Sequence, residues 1–435
     1  MWGYENLDDG GTMERRNDGS EHVSARASFR RSSVPPLLLA LAVLGVGCRG
    51  RPAATATGSS AESRLAHLVD SLRASVEKST GLTFKAPPRS AVRSRDQLRA
   101  YLVAKLDEDL PPERARGVET AYRLFGMLPD TVEIRPLMLD LLTEQIVGFY
   151  DPDSAMLFGV GNAPEDQLKV MAAHELVHAL QGQYLPLDSI LTPHGDNDRT
   201  SAAQAVLEGQ AMVASIRAIS PGVDVIDDPS IWETFKETAR NAQSAMPRFA
   251  AAPLVVREAL IFPYIQGADF IRWWGKERQG VPFGATMPVS TEQVLHPDRY
   301  ARGDQPLRIV FDSAGFDPVM HEDALGEVEV RILGAALLGR HSATYTPPVG
   351  WAGDRYRVVS TAAGPALVWY IAFDDAPSAD RFRASIGQRL AALQRDGYRV
   401  LNEPVTLAGK PADRFVIAPV AWTGWGSIPV ATAGL

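Results

Sequence analysis

The sequence predicts an α+β protein: a mainly helical region with a small β-hairpin up to about residue 300, then a smaller α+β domain over 301–435. Three observations carry this. Between Leu65 and Leu142 apolar residues recur at three- and four-residue steps, as at Leu98, Tyr101, Leu102 and Leu106, the period of amphipathic helices. From Gln145 to Val160 the pattern changes to two apolar runs, Ile146 to Tyr150 and Met156 to Phe158, divided by Asp151-Pro152-Asp153-Ser154, which signals a hairpin. Beyond about Pro306 strand-like and helix-like stretches alternate. With 435 residues and 45% hydrophobic content, the chain can bury a full core and is long enough for two domains. The net charge of −8 is dispersed along the chain, which argues for solubility and against nucleic-acid binding.

Taken in order, residues 1–47 have the layout of a signal peptide. Arginines 15, 16, 26, 30 and 31 precede a 13-residue apolar run, Pro35–Gly47, too short for the roughly 20 residues a bilayer-spanning helix needs. Cys48, the one cysteine of the chain, follows directly. Gly45, Gly47 and Leu44 resemble the small-residue pattern ahead of a lipidated bacterial cysteine, so Cys48 is the expected lipid anchor. Leu44 stands four residues before it and not three, so ordinary cleavage stays an alternative, and Met13 is an alternative start. Residues 48–63 are small and polar and read as a flexible tether, with order beginning near Leu65.

The hairpin is a candidate ledge for an extended substrate, with two ordinary sheet strands as the alternative. A helix is expected over 164–183, a strongly apolar one over 202–217, and others near 229–247, 253–262 and 264–279, the last two divided by Pro263. In the C-terminal part, Leu367–Phe373 and Arg414–Ala418 read as strands and Ser378–Arg395 as a helix.

The helix over 164–183 carries His174-Glu175-Leu176-Val177-His178. At about 100° per residue the two imidazoles point about 40° apart and can share one ion, with Glu175 about 60° from His178 on the same flank. Ala172, Ala173, Leu176, Val177 and Leu180 form the packing side. A zinc ion takes imidazole and carboxylate donors and, in catalytic sites, keeps one position for water. Glu175 is placed to take the proton of that water.

For a third donor Glu208 is the best candidate. It is the one ionisable residue between Ala202 and Ile216, and a carboxylate on so apolar a helix is costly unless a cation or donors meet it. Gly209 beside it would let this helix approach the motif helix closely. The competing reading is a surface glutamate, and His194, Asp196 and Asp198 are rival donors. For the oxyanion of a tetrahedral intermediate, Tyr264, Tyr300 and His296 are candidates, with Tyr264 preferred because it follows Pro263 at the start of a helix. His67, His321 and His341 carry no motif.

The combination of His174 to His178 with a glutamate on a following helix resembles the gluzincin metallopeptidases. More narrowly, Gly148 to Pro152, His174 to Gln183, Leu207-Glu208-Gly209 and Ser290 to Pro297 resemble a poorly characterised family of bacterial exported metallopeptidases, the similarity running from about residue 95 into the C-terminal region, Gly350 to Asp354 included. The resemblance implies a zincin-like domain over 64–300 that holds one Zn2+ through His174, His178 and Glu208, with Glu175 as base. It supplies no substrate. One departure is Met212, where thermolysin-like members carry an aspartate that orients a histidine.

These readings lead to an expected lipid-anchored zinc peptidase of the cell envelope, acting on peptide or protein substrates. The alternatives are a catalytically inactive zincin-fold lipoprotein that serves as a binding or assembly factor, and a metal-free structural lipoprotein.

Overall fold

The computed structural model describes residues 58–434 except 162, 193–194, 223–225, 313–316, 344–349 and 394. The expected signal peptide, the anchor Cys48, the first part of the tether and the rival donor His194 lie outside the described residues.

The described chain is mostly helical first and β-rich later, as the apolar periods predict. Helix α1 (Gly58–Thr80) leads into strand β1 (Arg89–Arg93), then α2 (Arg95–Asp109), α3 (Pro112–Leu124) and α4 (Ile134–Gln145). The hairpin is β2 (Gly148–Asp151) and β3 (Met156–Val160), followed by α5 (Glu165–Tyr184), α6 (Leu187–Leu191) and α7 (Asn197–Ile219). Next come α8 (Pro229–Ser244), α9 (Pro247–Ala251), α10 (Leu254–Glu277), α11 (Thr291–Leu295) and α12 (Pro297–Ala301). The remainder is β4 (Ile309–Phe311), β5 (Val319–Asp323), α13 (Gly326–Leu337), β6 (Trp351–Thr361), β7 (Gly364–Phe373), α14 (Ala376–Phe382), α15 (Gln388–Ala391), β8 (Tyr398–Leu407), β9 (Lys410–Pro419) and β10 (Ala431–Ala433).

Three local expectations are corrected. Order begins at Gly58, within the stretch read as tether, because Ala61 extends the buried stripe Leu65, Val69, Leu72 and Val76 that packs α1 on the rest. β1 interrupts the region read as all helix and pairs parallel to β3. Pro263 does not divide two helices: α10 runs unbroken through it. The carbonyl that Pro263 leaves without its helical donor belongs to Ala259, which is exposed to water, and Gly267 locks the same helix against α7.

Five antiparallel strands, in the order β5-β6-β7-β9-β8, form the C-terminal sheet. Its alternate residues face two apolar clusters, as a period of two requires. Leu367, Trp369 and Ile371 face the helices, whereas Val368, Tyr370 and Ala372 face a layer with Phe311, Trp422 and Ala431. The helix-facing cluster is continuous from the sheet to Trp232, Phe262 and Ile265 of the helical region. Polar ties reinforce it. Asn197, the first residue of α7, donates its backbone N–H to Asp323 and its side-chain amide to Glu329 at 2.8 Å, so the C-terminal part fixes where α7 starts.

Candidate metal centre

Helix α5 opens with Glu165 and Asp166, acidic residues that suit the positive end of the helix dipole. Most of its length from Leu168 to Gln181 is buried, the motif flank as deeply as the packing flank. The reason is tertiary. α1 covers one side, while α7, α10 and β2 enclose the side that carries His174, Glu175 and His178.

Glu208 comes to this flank from α7. Its Oε2 lies 3.1 Å from His174 Nε2 and 3.4 Å from His178 Nε2, and the two imidazole nitrogens are 3.1 Å apart. All three residues are buried, and they form a group that can hold a metal ion. The spacing supports that use: nitrogen and oxygen donors about 2.1 Å from a tetrahedral ion stand about 3.4 Å from one another. Three such edges would outline one face of a tetrahedron around an ion held by these residues. Glu208 Oε1 has no hydrogen-bond partner, so nothing else among the described residues satisfies this buried oxygen. A surface role for Glu208 is excluded by its zero exposure.

The electrostatics follow from enclosure. Burial acts to raise the Glu208 carboxyl, but the charge of His178 and hydrogen bonds from both histidines hold it well below the usual carboxylate range. Burial lowers His174 more than the Glu208 contact raises it. His178 is desolvated too, yet the charge and hydrogen bond of Glu208 raise it above its ordinary value.

Glu175 is the base the motif predicts, and burial pushes it up to about 8, against the charge of His178. Its Oε2 accepts the backbone N–H of Tyr150 at 2.7 Å, while Oε1 is buried with no hydrogen-bond partner. The strand β2 that supplies this N–H is the outer strand of the order β1-β3-β2. Val160 donates to the Val147 carbonyl, so by the antiparallel alternation Gly148 and Tyr150 turn their backbone groups away from β3. The strand read as a substrate ledge is buried throughout, and its outward N–H at Tyr150 is spent on Glu175.

Tyr264 is also brought in. Its ring stacks on His174 with centroids 6.1 Å apart. What places it is a close helix crossing. A Cβ on Gly209 would stand 2.2 Å from the Gly267 carbonyl carbon, and one on Gly267 would stand 2.0 Å from the Ala205 oxygen, so neither position has room for a side chain. Here the sequence expectation for Gly209 is corrected: it admits α10 and not α5, because it points about 100° round α7 from Glu208.

The other candidates lie elsewhere. Asp196 caps α7 by accepting from the Arg199 N–H, and Asp198 accepts from the Thr291 N–H at 2.8 Å. Asp198 is ten residues before Glu208, about 15 Å along the axis. Tyr300 donates to the Thr286 carbonyl, and His296 pairs with Glu327 at 3.0 Å.

One further contact at the site comes from outside the residues the sequence singles out. His178 Nδ1 is 2.8 Å from Gln181 Oε1, and the Gln181 amide donates to the Leu207 carbonyl at 3.0 Å and to Gln210 Oε1 at 2.8 Å. The available signal was position: Gln181 follows His178 by three residues, on the same helix flank.

The fold and site together define a mixed α/β protein with a buried His-His-Glu group suited to a metal ion. Residues 297–419 match the family model described as a domain of unknown function, DUF8575. That stretch runs from α12 to β9 and does not include the His-His-Glu group. No curated protein and no solved structure matches the chain.

Proposed function

We propose that the protein is a zinc-dependent peptidase of the bacterial cell envelope, with His174, His178 and Glu208 as ligands of one ion. The observation that carries this reading is the convergence of three buried donors at 3.1–3.4 Å beside a buried carboxylate, Glu175, with one unpartnered oxygen. Bound Zn2+ would lower the pKa of a coordinated water to about 7 and polarise the scissile carbonyl. Glu175, held at Oε2 by the Tyr150 N–H, presents Oε1 to take a proton from the attacking water and returns it to the departing amine. Tyr264, stacked on His174, is the candidate hydrogen-bond donor to the oxygen of the tetrahedral intermediate. Export and anchoring at Cys48 would place this chemistry on the envelope side of a membrane, and among the described residues no helix is long and apolar enough to cross one.

A second reading is an inactive zincin-fold lipoprotein that serves as a binding or assembly factor. The enclosure of the site favours it, since Glu175, His178 and Glu208 have no exposed surface. Digestion of a peptide library by the purified protein and by Glu175→Gln decides between them. Cleavage that the substitution abolishes supports the peptidase; zinc binding with no difference between the two digests supports the binding factor.

A further inference from the structure

Gln181 is fully buried and makes three hydrogen bonds. Their chemistry fixes its orientation. The Leu207 carbonyl can only accept, so the Gln181 atom facing it is the amide nitrogen, which also donates to Gln210. The atom left to face His178 Nδ1 is therefore Oε1, which carries no hydrogen, and Nδ1 must carry one. In the neutral ring that metal binding requires, the lone pair is then on Nε2, which lies toward His174 Nε2 and Glu208 Oε2.

The same amide reaches α7 on both sides of the third donor, at Leu207 and Gln210. We propose that Gln181 is a positioning residue of the metal site: it sets the metal-binding nitrogen of His178 and clamps α7 to α5 so that Glu208 stays within reach of the same ion. This rests on the zinc reading above. It also accounts for the apolar Met212, since the histidine-orienting group comes from the motif helix itself and no carboxylate from α7 is needed. A neutral amide suits this place. Glu175 and Glu208 are already buried here, and a third acidic group would add like charge to a desolvated site.

Outer-shell partners of metal-bound histidines change metal affinity by about 10- to 100-fold when removed. The test compares wild type, Gln181→Met and Gln181→Glu by competition for Zn2+ with a chelator and by proton NMR of the zinc-loaded proteins. Wild type should show a protected imidazole Nδ1–H from His178. Gln181→Met, similar in volume but without the acceptor, should lose that signal and bind zinc about 10- to 100-fold more weakly. Gln181→Glu keeps an acceptor for Nδ1 but loses the amide that donates to Leu207 and Gln210, so it should keep the signal and still bind zinc more weakly than wild type, which separates the orienting role from the clamp. Unchanged affinity and an unchanged Nδ1–H signal in Gln181→Met overturn the proposal. A wild type that binds no zinc instead overturns the metal reading on which it rests. If Gln181→Met does not fold, Gln210→Leu carries the test: it frees one side of the clamp and should weaken zinc binding several-fold, and no change in affinity refutes the clamp.

Discussion

The backbone N–H of Tyr150 donates to Glu175 Oε2 across 2.7 Å, which joins the outer strand of the small sheet to the centre of the motif helix. The bond fixes one carboxylate oxygen, and the other, Oε1, is buried with no hydrogen-bond partner. Strand β2 thus acts on the site through its main chain, which no side-chain pattern announces.

Glu208→Ala should remove most bound zinc, whereas Glu175→Gln should retain it and lose turnover. Metal analysis of the two purified variants distinguishes ligand from base. Full zinc occupancy in Glu208→Ala would refute the ligand assignment. In metal-free protein the same substitution breaks a fully buried ion pair, a change that costs about 3–5 kcal/mol and is visible as a lower urea midpoint.

Tyr264→Phe keeps the ring that stacks on His174 and deletes the hydroxyl. If Tyr264 stabilises the oxyanion, kcat should fall about 100- to 1,000-fold with zinc affinity unchanged. A loss of zinc in this variant would assign the residue to packing.

Gly209→Ala and Gly267→Ala each place a methyl group inside the crossing of α7 and α10, at 2.2 Å and 2.0 Å from backbone atoms. Overpacking of this kind costs about 1–3 kcal/mol, occasionally more. Both variants should melt earlier than wild type and bind zinc more weakly, because the crossing sets the position of the helix that carries Glu208. Calorimetry with and without zinc measures both effects.

Burial pushes Asp198 up to about 8, although the side chain and backbone N–H of Thr291 act to lower it. The folded state therefore holds a proton that the unfolded chain releases near its ordinary value of about 3.9, and between these limits the native state binds more protons. Stability should fall as pH rises through that window. Asp198→Asn keeps an oxygen to accept from Thr291 and cannot titrate, so its melting temperature should decline less from pH 4 to 8 than that of wild type. Its zinc binding should match wild type, because Asp198 is about 15 Å along α7 from Glu208.

Cys48→Ser should move the protein from the membrane fraction to the soluble fraction of cells that express it. Retention in the membrane would exclude lipidation as the anchor.

The pair His174 and His178, Glu175 between them and the isolated carboxylate Glu208 were legible in the chain itself. Helical periodicity places the first three on one flank, and a lone ionisable residue in an apolar helix is costly to bury without a cation or donors to meet it. The motif helix, the hairpin and the strands at Leu367 and Arg414 were legible for the same reason, since each repeats its pattern over a few residues. Other features depended on contacts between residues remote in sequence. Gly209 meets Gly267, Tyr150 reaches Glu175 through a main-chain N–H, and Gln181 bridges α5 to Leu207 and Gln210. The unbroken helix through Pro263 belongs with them, because α10 packs against α7 and α13, elements remote from it in sequence. Local patterns select residue types and the faces they share; which face meets which, and at what distance, is decided by the packing of whole helices and strands.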